Sequence, residues 1–332
     1  MKNILFVFCF SFILLISCKE ESITPIPGTT NTWEKVADLP GYYYHNLKIK
    51  GNTIYMICYN EGYKFTSSQD SGISWQVSDL NFYVKDFGFL SVEGNKFYIS
   101  GYDGLFESSD NGLTWRENIS LREYVNPTIA FHSLTDISVS GNEIFVGQIA
   151  DSYMAYYANG LIYSSDRGLS WTCPSNFPTY RVVALKKFDR TLVFCDNKIQ
   201  YSFDSLNTWY FANGGEKEIV EFYEINSRLF AVGYISIKIS NTSGTSWIEC
   251  CPTISTDEVI LPKTFTSTSD KIFVMNNKGV LYYSDQSDLE WKIFDDKLPE
   301  FVNGNGITLF TLDDDYLYFV NGNKLWRKKI TE

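Results

Sequence analysis

Short apolar and aromatic runs, each closed by a polar turn, follow one another from residue 32 to the end of the chain, and no stretch keeps a helical period. One period illustrates the pattern. Phe87–Val92 is followed by the turn Glu93-Gly94-Asn95, then by Lys96–Ser100, by Gly101-Tyr-Asp-Gly104, and by Leu105–Ser108. Turns of the same kind stand at Lys50-Gly51-Asn52 and Ser140-Gly141-Asn142, each leading into a β-rich apolar segment. With a final strand after the next turn, each period predicts four antiparallel strands.

The period itself is marked by tryptophan. Ser68-Gln-Asp70-Ser-Gly72-Ile-Ser-Trp75 recurs as Ser108-Ser-Asp110-Asn-Gly112-Leu-Thr-Trp115 and as Ser164-Ser-Asp166-Arg-Gly168-Leu-Ser-Trp171. Looser copies end at Trp209, Trp247 and Trp291, and the spacings from Trp33 onward are 42, 40, 56, 38, 38 and 44 residues, 43 on average. A period of this length carried by short strands predicts a repeat architecture. Asp and Gly in the phrase are turn residues, one accepting backbone N–H groups and the other tolerating a positive φ. The tryptophan opens the next strand, where its ring can fill the space between neighbouring sheets. This phrase resembles the Asp-box, or BNR repeat, of bacterial sialidases, sortilin-type receptors, xyloglucanases and photosystem II assembly factors. The resemblance covers nearly all of the chain after residue 30. It implies a β-propeller in which each box joins the third and fourth strands of a blade and faces away from the ligand-binding side. Asp70, Gly72, Trp75, Asp110, Gly112, Trp115, Asp166, Gly168 and Trp171 are therefore expected to be structural. Their decay agrees: Leu206 replaces the glycine, Thr242 the aspartate, and Gln286 with Asp288 both.

Counting strands closes the ring. After Trp291 there is sequence for three more, Ile307–Leu312, Tyr316–Val320 and Lys324–Lys328, while Trp33–Val36 precedes the first full blade and can serve as the missing fourth. The expected fold is all-β, a seven-bladed propeller of four-stranded antiparallel blades spanning 32–332, with closure removing exposed sheet edges.

The first residues predict an address. Met1-Lys-Asn leads into the apolar run Ile4–Ile16, which is too short to span a bilayer and reads as a signal peptide over 1–17. Leu15-Ile16-Ser17-Cys18 resembles a bacterial lipobox, which implies lipidation at Cys18 and, with more than one acyl chain, firm anchoring. Lys19-Glu20-Glu21 resembles the Bacteroidetes signal that sends lipoproteins to the cell surface. Residues 18–31 then read as the lipidated cysteine and a flexible tether reaching roughly 20 Å. The expectation is an outer-membrane lipoprotein exposed on the cell surface.

Composition narrows the partners. The net charge is −11 over the chain and −12 after residue 17, which argues against nucleic acid because phosphates would be repelled. Five cysteines remain besides Cys18, without metal-ligand spacing, and His45 and His132 are the only histidines, so neither a metal nor another cofactor is expected. Cys58 and Cys195 lie in equivalent apolar strands and read as buried thiols. Adjacent Cys250 and Cys251 point to opposite faces of a strand, so no disulfide is expected between them.

Candidate chemistry lies on the face opposite the boxes, where loops joining strands two and three meet loops joining one blade to the next. The third blade is the longest, with extra residues in 120–130 and 150–160. These bring Arg122, Tyr124, Asp151, Tyr153, Tyr156 and Tyr157 to that face, beside Tyr42, Tyr43, Tyr44, His45, Phe82, Tyr83, Tyr102, Tyr180 and Arg181. Tyrosines offer flat stacking faces with a polar handle, suited to glycans and to proteins. Catalysis finds less support. A sialidase site resembling the family's needs an arginine triad whose first member precedes the first box, and no arginine occurs before Arg116; that family fold is also six-bladed. Asp86, Glu123 or Asp151 could be carboxylates of a glycosidase, but nothing in the sequence fixes their separation. The expected function is thus a monomeric, non-catalytic surface propeller binding a glycan or protein partner. A divergent sialidase- or xyloglucanase-like glycoside hydrolase and an assembly or scaffolding factor are the alternatives.

Overall fold

In the computed structural model the residues described are 32–84, 90–100, 104–125, 133–149, 160–177, 181–195, 197–204, 206–252, 258–296, 298–301 and 309–330. Seven antiparallel sheets follow one another along the chain, six of them paired in sequence order and the seventh completed by the first strand of the chain. Blade one shows the pattern: Tyr42–Lys50, Thr53–Tyr59, Tyr63–Ser68 and Gln76–Asp79. Closure takes place as expected. The strand Glu34–Asp38 pairs antiparallel with Lys324–Lys329, with Glu34 opposite Arg327, and completes the seventh blade. Six sheets have four strands. In blade three the fourth is reduced to a bridge between Tyr163 and Thr172, which exchange N–H···O bonds of 2.8 and 2.9 Å.

The core is divided among the blade interfaces. Seven buried apolar clusters each join residues of two neighbouring blades, and each takes one tryptophan of the repeat. Trp115 packs with Ile57 and Phe65 of blade one and with Phe97 and Ile99 of blade two. Trp33 serves the interface of blades six and seven, where its Nε1 donates to Asp295 Oδ2 at 2.9 Å and its ring meets Phe319 edge-on at 5.5 Å. Large rings supply the apolar area needed to hold sheets face to face. The period of about 43 residues thus reflects one filler per interface.

The phrase before each tryptophan sits between the third and fourth strands. Ser108 Oγ donates to Asp110 Oδ1 at 2.7 Å and accepts Gly112 N–H at 2.9 Å, while Asp110 accepts Thr114 N–H at 2.9 Å and its hydroxyl at 2.5 Å. Bonds from Ser74, Thr114 and Ser170, hydroxyl first and backbone second, hold the carboxyls of Asp70, Asp110 and Asp166 at about 2. In blade five the threonine hydroxyl takes over: Thr242 Oγ1 accepts Ser246 N–H at 2.9 Å.

One element departs from the all-strand expectation. Residues Ile119–Val125 form a short helix, capped by Asn118, whose Oδ1 accepts Leu121 N–H at 2.9 Å. Leu121 is buried between blades two and three. Seven residues are too few to show a helical period in sequence. Cys58 and Cys195 are buried, and no disulfide forms among the described cysteines, so Cys250 and Cys251 are both thiols.

Candidate functional site

Antiparallel order fixes which loops share an end of the ring. The turn at Asn60-Glu61-Gly62, between strands two and three, opens at the end opposite the box of its own blade, as do the entry at Tyr42 and the exit after Asp79. Blade one brings an aromatic ledge together there. Tyr59 and Tyr63 face each other across the hairpin in register, their rings edge-on at 5.3 Å, and Tyr83 meets Tyr63 edge-on at another 5.3 Å. The His45 ring lies 5.8 Å from Tyr63 on the inner side. Tyr83 is 54% exposed, Tyr59 37% and Tyr43 67%.

Tyr43 occupies an uncommon backbone state. Its φ is +58° at a bulge where the register slips between Tyr42 and Tyr44, opposite Tyr59 and Cys58. A tyrosine in the left-handed region is costly, and such positions persist where surrounding structure holds them. The hold here is Tyr44. Its hydroxyl donates to Gly41 O at 2.7 Å and accepts Gly41 N–H at 2.8 Å, pinning the bulge from within the core. Burial raises the Tyr44 hydroxyl well above its ordinary value and pushes the Cys58 thiol beneath it up to about 11.

Several expected residues lie elsewhere. Tyr44 is 3% exposed and belongs to the core between blades seven and one, because its hydroxyl is consumed by Gly41. Phe82 is half-buried, stacked flat on Phe106 with centroids 3.6 Å apart, and is a wedge between blades one and two. Arg122 and Tyr124 ride on the short helix, which follows the two-residue fourth strand of blade two, where Asn118 N–H donates to Leu105 O at 2.8 Å. Asn118 Nδ2 donates to Gly168 O at 3.1 Å, and Trp171 Nε1 reaches Asn118 Oδ1 at 3.2 Å. Arg122 Nη1 pairs with Glu117 at 2.9 Å. The Tyr124 hydroxyl is pushed up to about 12 by burial and by the Cys173 thiol it bonds. Tyr124 therefore stands beside blade three's outer bridge, while Arg122 is paired to the fourth strand of blade two. Arg181 is exposed. Tyr102, Asp151, Tyr153, Tyr156, Tyr157 and Tyr180 lie outside the described residues, as do Cys18, Asp86 and His132; of Tyr42 only the backbone is described, opposite Tyr59.

Tyr59 and Tyr63 were not singled out from sequence, although a hairpin turn flanked by two tyrosines was a readable signal. A second aromatic surface was also missed. On the outer strands of blade four, Phe203, Tyr210 and Phe211 are exposed around Tyr201, with the Arg190 guanidinium 4.1 Å from the Phe203 ring centre. Among the described residues no group of three or more His, Cys, Asp or Glu is placed to hold a metal ion.

These features define a class: an all-β, seven-bladed propeller whose interblade fillers and structural turns leave the opposite end free to carry ligand chemistry. No family model matches the chain, and no curated protein matches it in sequence. Solved structures do match in fold. YCF48 bound to D1 peptide is similar at a TM-score of 0.63 and 16% identity, over 92% of this chain and 98% of that one. PorZ of Porphyromonas gingivalis, an essential surface component of the type-IX secretion system, is similar at 0.58 and 10% identity, over 90% of this chain and 39% of its own. The extracellular domain of BT4673 from B. thetaiotaomicron is similar at 0.60 and 10%, over 90% of this chain and 40% of its own. At these identities the likeness is one of fold.

Proposed function

We propose that this chain is a non-catalytic binding propeller that holds a segment of a protein partner on the ledge formed by Tyr43, Tyr59, Tyr63 and Tyr83. The carrying observation is the mutual edge-on packing of Tyr59, Tyr63 and Tyr83, which presents exposed rings in a fixed order at low entropic cost. A fold neighbour caught with a peptide supports a protein partner over the other readings. A glycan is the second reading, since the same rings can stack on sugar faces. Of the three carboxylates considered for the hydrolase alternative, only Glu123 is among the described residues, on the short helix. The lipobox at Cys18 supports a lipid-anchored protein of the outer membrane, exposed on the cell surface and monomeric, with the propeller at the end of its tether.

The test is to screen the full chain against peptide and glycan arrays, with product analysis in the same wells. Tyr59→Ala and Tyr83→Ala should each weaken the ligand by about 1–2 kcal/mol, roughly 5–30-fold, while leaving the melting transition close to wild type. Cys18→Ser should bind equally in solution yet no longer partition with membranes. Undiminished affinity in both tyrosine variants would remove the ledge from the binding site, and turnover of any arrayed glycan would overturn the non-catalytic reading.

A further inference from the structure

The boxes lie at one end of the ring, because each joins the third strand of its blade to the fourth. Neighbouring blades meet there in order. Ser78 Oγ of blade one donates to Gly112 O of the second box at 2.6 Å, and Asn118 Nδ2 of blade two donates to Gly168 O of the third at 3.1 Å. Serine, aspartate and tryptophan side chains are engaged within the box, whereas the residue after the glycine contributes its backbone: Ile73 and Leu113 N–H donate to Asp70 O and Asp110 O at 3.3 and 3.4 Å. Ile73, Leu113 and Leu169 hold this position in the three full copies and are 76%, 49% and 79% exposed. Blade four has Asn207 there, but its box carries Phe203, 53% exposed. Four consecutive blades thus each show water a large apolar side chain, at the end that carries no part of the tyrosine ledge.

The chain also enters the ring at this end. The strand Glu34–Asp38 is the fourth of blade seven and lies antiparallel to Lys324–Lys329, with Glu34 opposite Arg327, so it starts where the boxes are. Contact with the first box agrees: a Cβ built on Gly72 would lie 3.2 Å from Val36 Cγ1 and 2.6 Å from Leu325 Cδ2. Residues 18–31, read from sequence as a lipidated cysteine and a tether of roughly 20 Å, therefore join the propeller on the side of the apolar row.

We propose that the box end is a lipid-facing surface: Ile73, Leu113, Leu169 and Phe203 enter the interface of a zwitterionic bilayer while the ledge points away from it. The choice of a lipid surface as occupant rests on the anchor read at Cys18; the exposed row stands without it. A short tether attached at the box end holds that end, and not the ledge, against the layer its lipid enters. Peripheral contact grows with the apolar area buried, and large apolar side chains gathered on one surface mark such contacts. The net charge of −11 sets the headgroup chemistry, since anionic lipids attract basic surfaces and repel an acidic one. The contact is apolar, weak without the anchor and indifferent to salt.

The experiment places the full chain on phosphatidylcholine vesicles with and without brominated acyl chains and reads tryptophan fluorescence. Leu169→Trp should be quenched by brominated lipid at least twofold more than wild type. Tyr234→Trp, between the second and third strands of blade five and so at the ledge end, should show no added quenching. A second arm uses the Cys18→Ser background, in which whatever residues 1–31 contribute is constant. There Ile73→Ser, Leu169→Ser and Phe203→Ser together should lower vesicle partition at least tenfold at an unchanged melting temperature. Phosphatidylglycerol vesicles should bind less well than phosphatidylcholine. A Cys18→Ser chain that partitions as tightly as wild type, while the three serines still weaken it, refutes the anchor and upholds the lipid-facing end. Equal quenching of Leu169→Trp and Tyr234→Trp overturns the proposal, as does partition indifferent to the three serines. Self-association in vesicle-free solution that the same serines abolish also overturns it, because a second copy would then cover this face.

Discussion

Gly112→Ala separates what a turn demands from what packing demands. The residue has φ of +82°, and a Cβ built there would lie 2.1 Å from Phe65 Cε1 and 2.4 Å from Phe65 Cδ1. Phe65 cannot step aside easily. It is buried, and its ring meets Trp115 at 5.3 Å and Phe97 at 5.5 Å, both edge-on. Left-handed backbone costs a residue with a Cβ about 1–2 kcal/mol. Overpacking a filled core costs about 1–3 kcal/mol more. The expected loss is therefore about 2–5 kcal/mol by urea unfolding of the full chain, read from the midpoint at unchanged slope. Gly94→Ala is the control, with φ of +62° and nothing within 4 Å of the added carbon, and should lose only the backbone part, about 1–2 kcal/mol. Blade four runs the experiment in reverse. Leu206 holds the same backbone at φ of +73° and fills the interface of blades three and four with its own side chain. Leu206→Gly relieves the strain but empties a buried site, a term of about 2–5 kcal/mol, so it should destabilise on balance. Equal losses for Gly112→Ala and Gly94→Ala, or a stabilised Leu206→Gly, would refute the view that box glycines are dictated by the neighbouring blade.

Acid unfolding tests the turn carboxylates: Asp70, Asp110 and Asp166 are held at about 2, below their ordinary 3.8, so their stabilisation is complete above that ordinary value and drains away as pH falls towards 2. Asp110→Asn should flatten the acid limb over that window in pH-dependent melts, and an unchanged limb would mean the carboxylate is not coupled to folding. Ring closure is tested by deleting residues 32–38, which removes the strand Glu34–Asp38 and the Trp33 bond to Asp295. A loss of several kcal/mol or aggregation through the exposed edge is expected, and melting at the wild-type temperature would show that the ring is not held shut there.

Much of the fold was legible because the sequence states its period twice, in turns and in tryptophans. Trp75, Trp115 and Trp247 each donate Nε1 to the carbonyl of the glycine three residues back, so turn and filler are one unit and recur together. Closure was legible by counting, with the strand starting one residue later and ending two residues later than expected, at Glu34–Asp38. The helix was not, because its cap, Asn118, occupies a position that reads as a fourth strand: Ser78, three residues after Trp75 as Asn118 is after Trp115, likewise reaches the glycine carbonyl of the next box. The ledge was half legible. Sequence places Tyr43, Tyr44 and Tyr83 at one end of the blade, but alternation cannot say which tyrosine a bulge turns inward; the slip between Tyr42 and Tyr44 buries Tyr44 and exposes Tyr43. The central cavity was illegible, since its lining, with Lys48, Asp136, Lys186, Glu221 and Lys263 among it, comes from blades far apart in sequence.

The two ends of the ring carry different kinds of dependence on individual residues. At the box end one chemical part can replace another. Thr242 accepts the N–H that Asp110 accepts in its own blade, and Gln286 anchors instead through Thr268 O at 3.0 Å and Asn226 Nδ2 at 2.6 Å. Any group that satisfies the turn's N–H keeps the blade, so these positions can drift without changing the fold. At the opposite end the parts depend on one another. Tyr44 must be buried for Gly41 to pin the bulge, the bulge must be pinned for Tyr43 to face outward, and Tyr63 stands edge-on to both Tyr59 and Tyr83. Removing Tyr63 would take a ring contact from two tyrosines at once, whereas removing Asp70 would cost one turn. That asymmetry is the physical ground for seeking the ligand on blade one and the scaffold in the boxes.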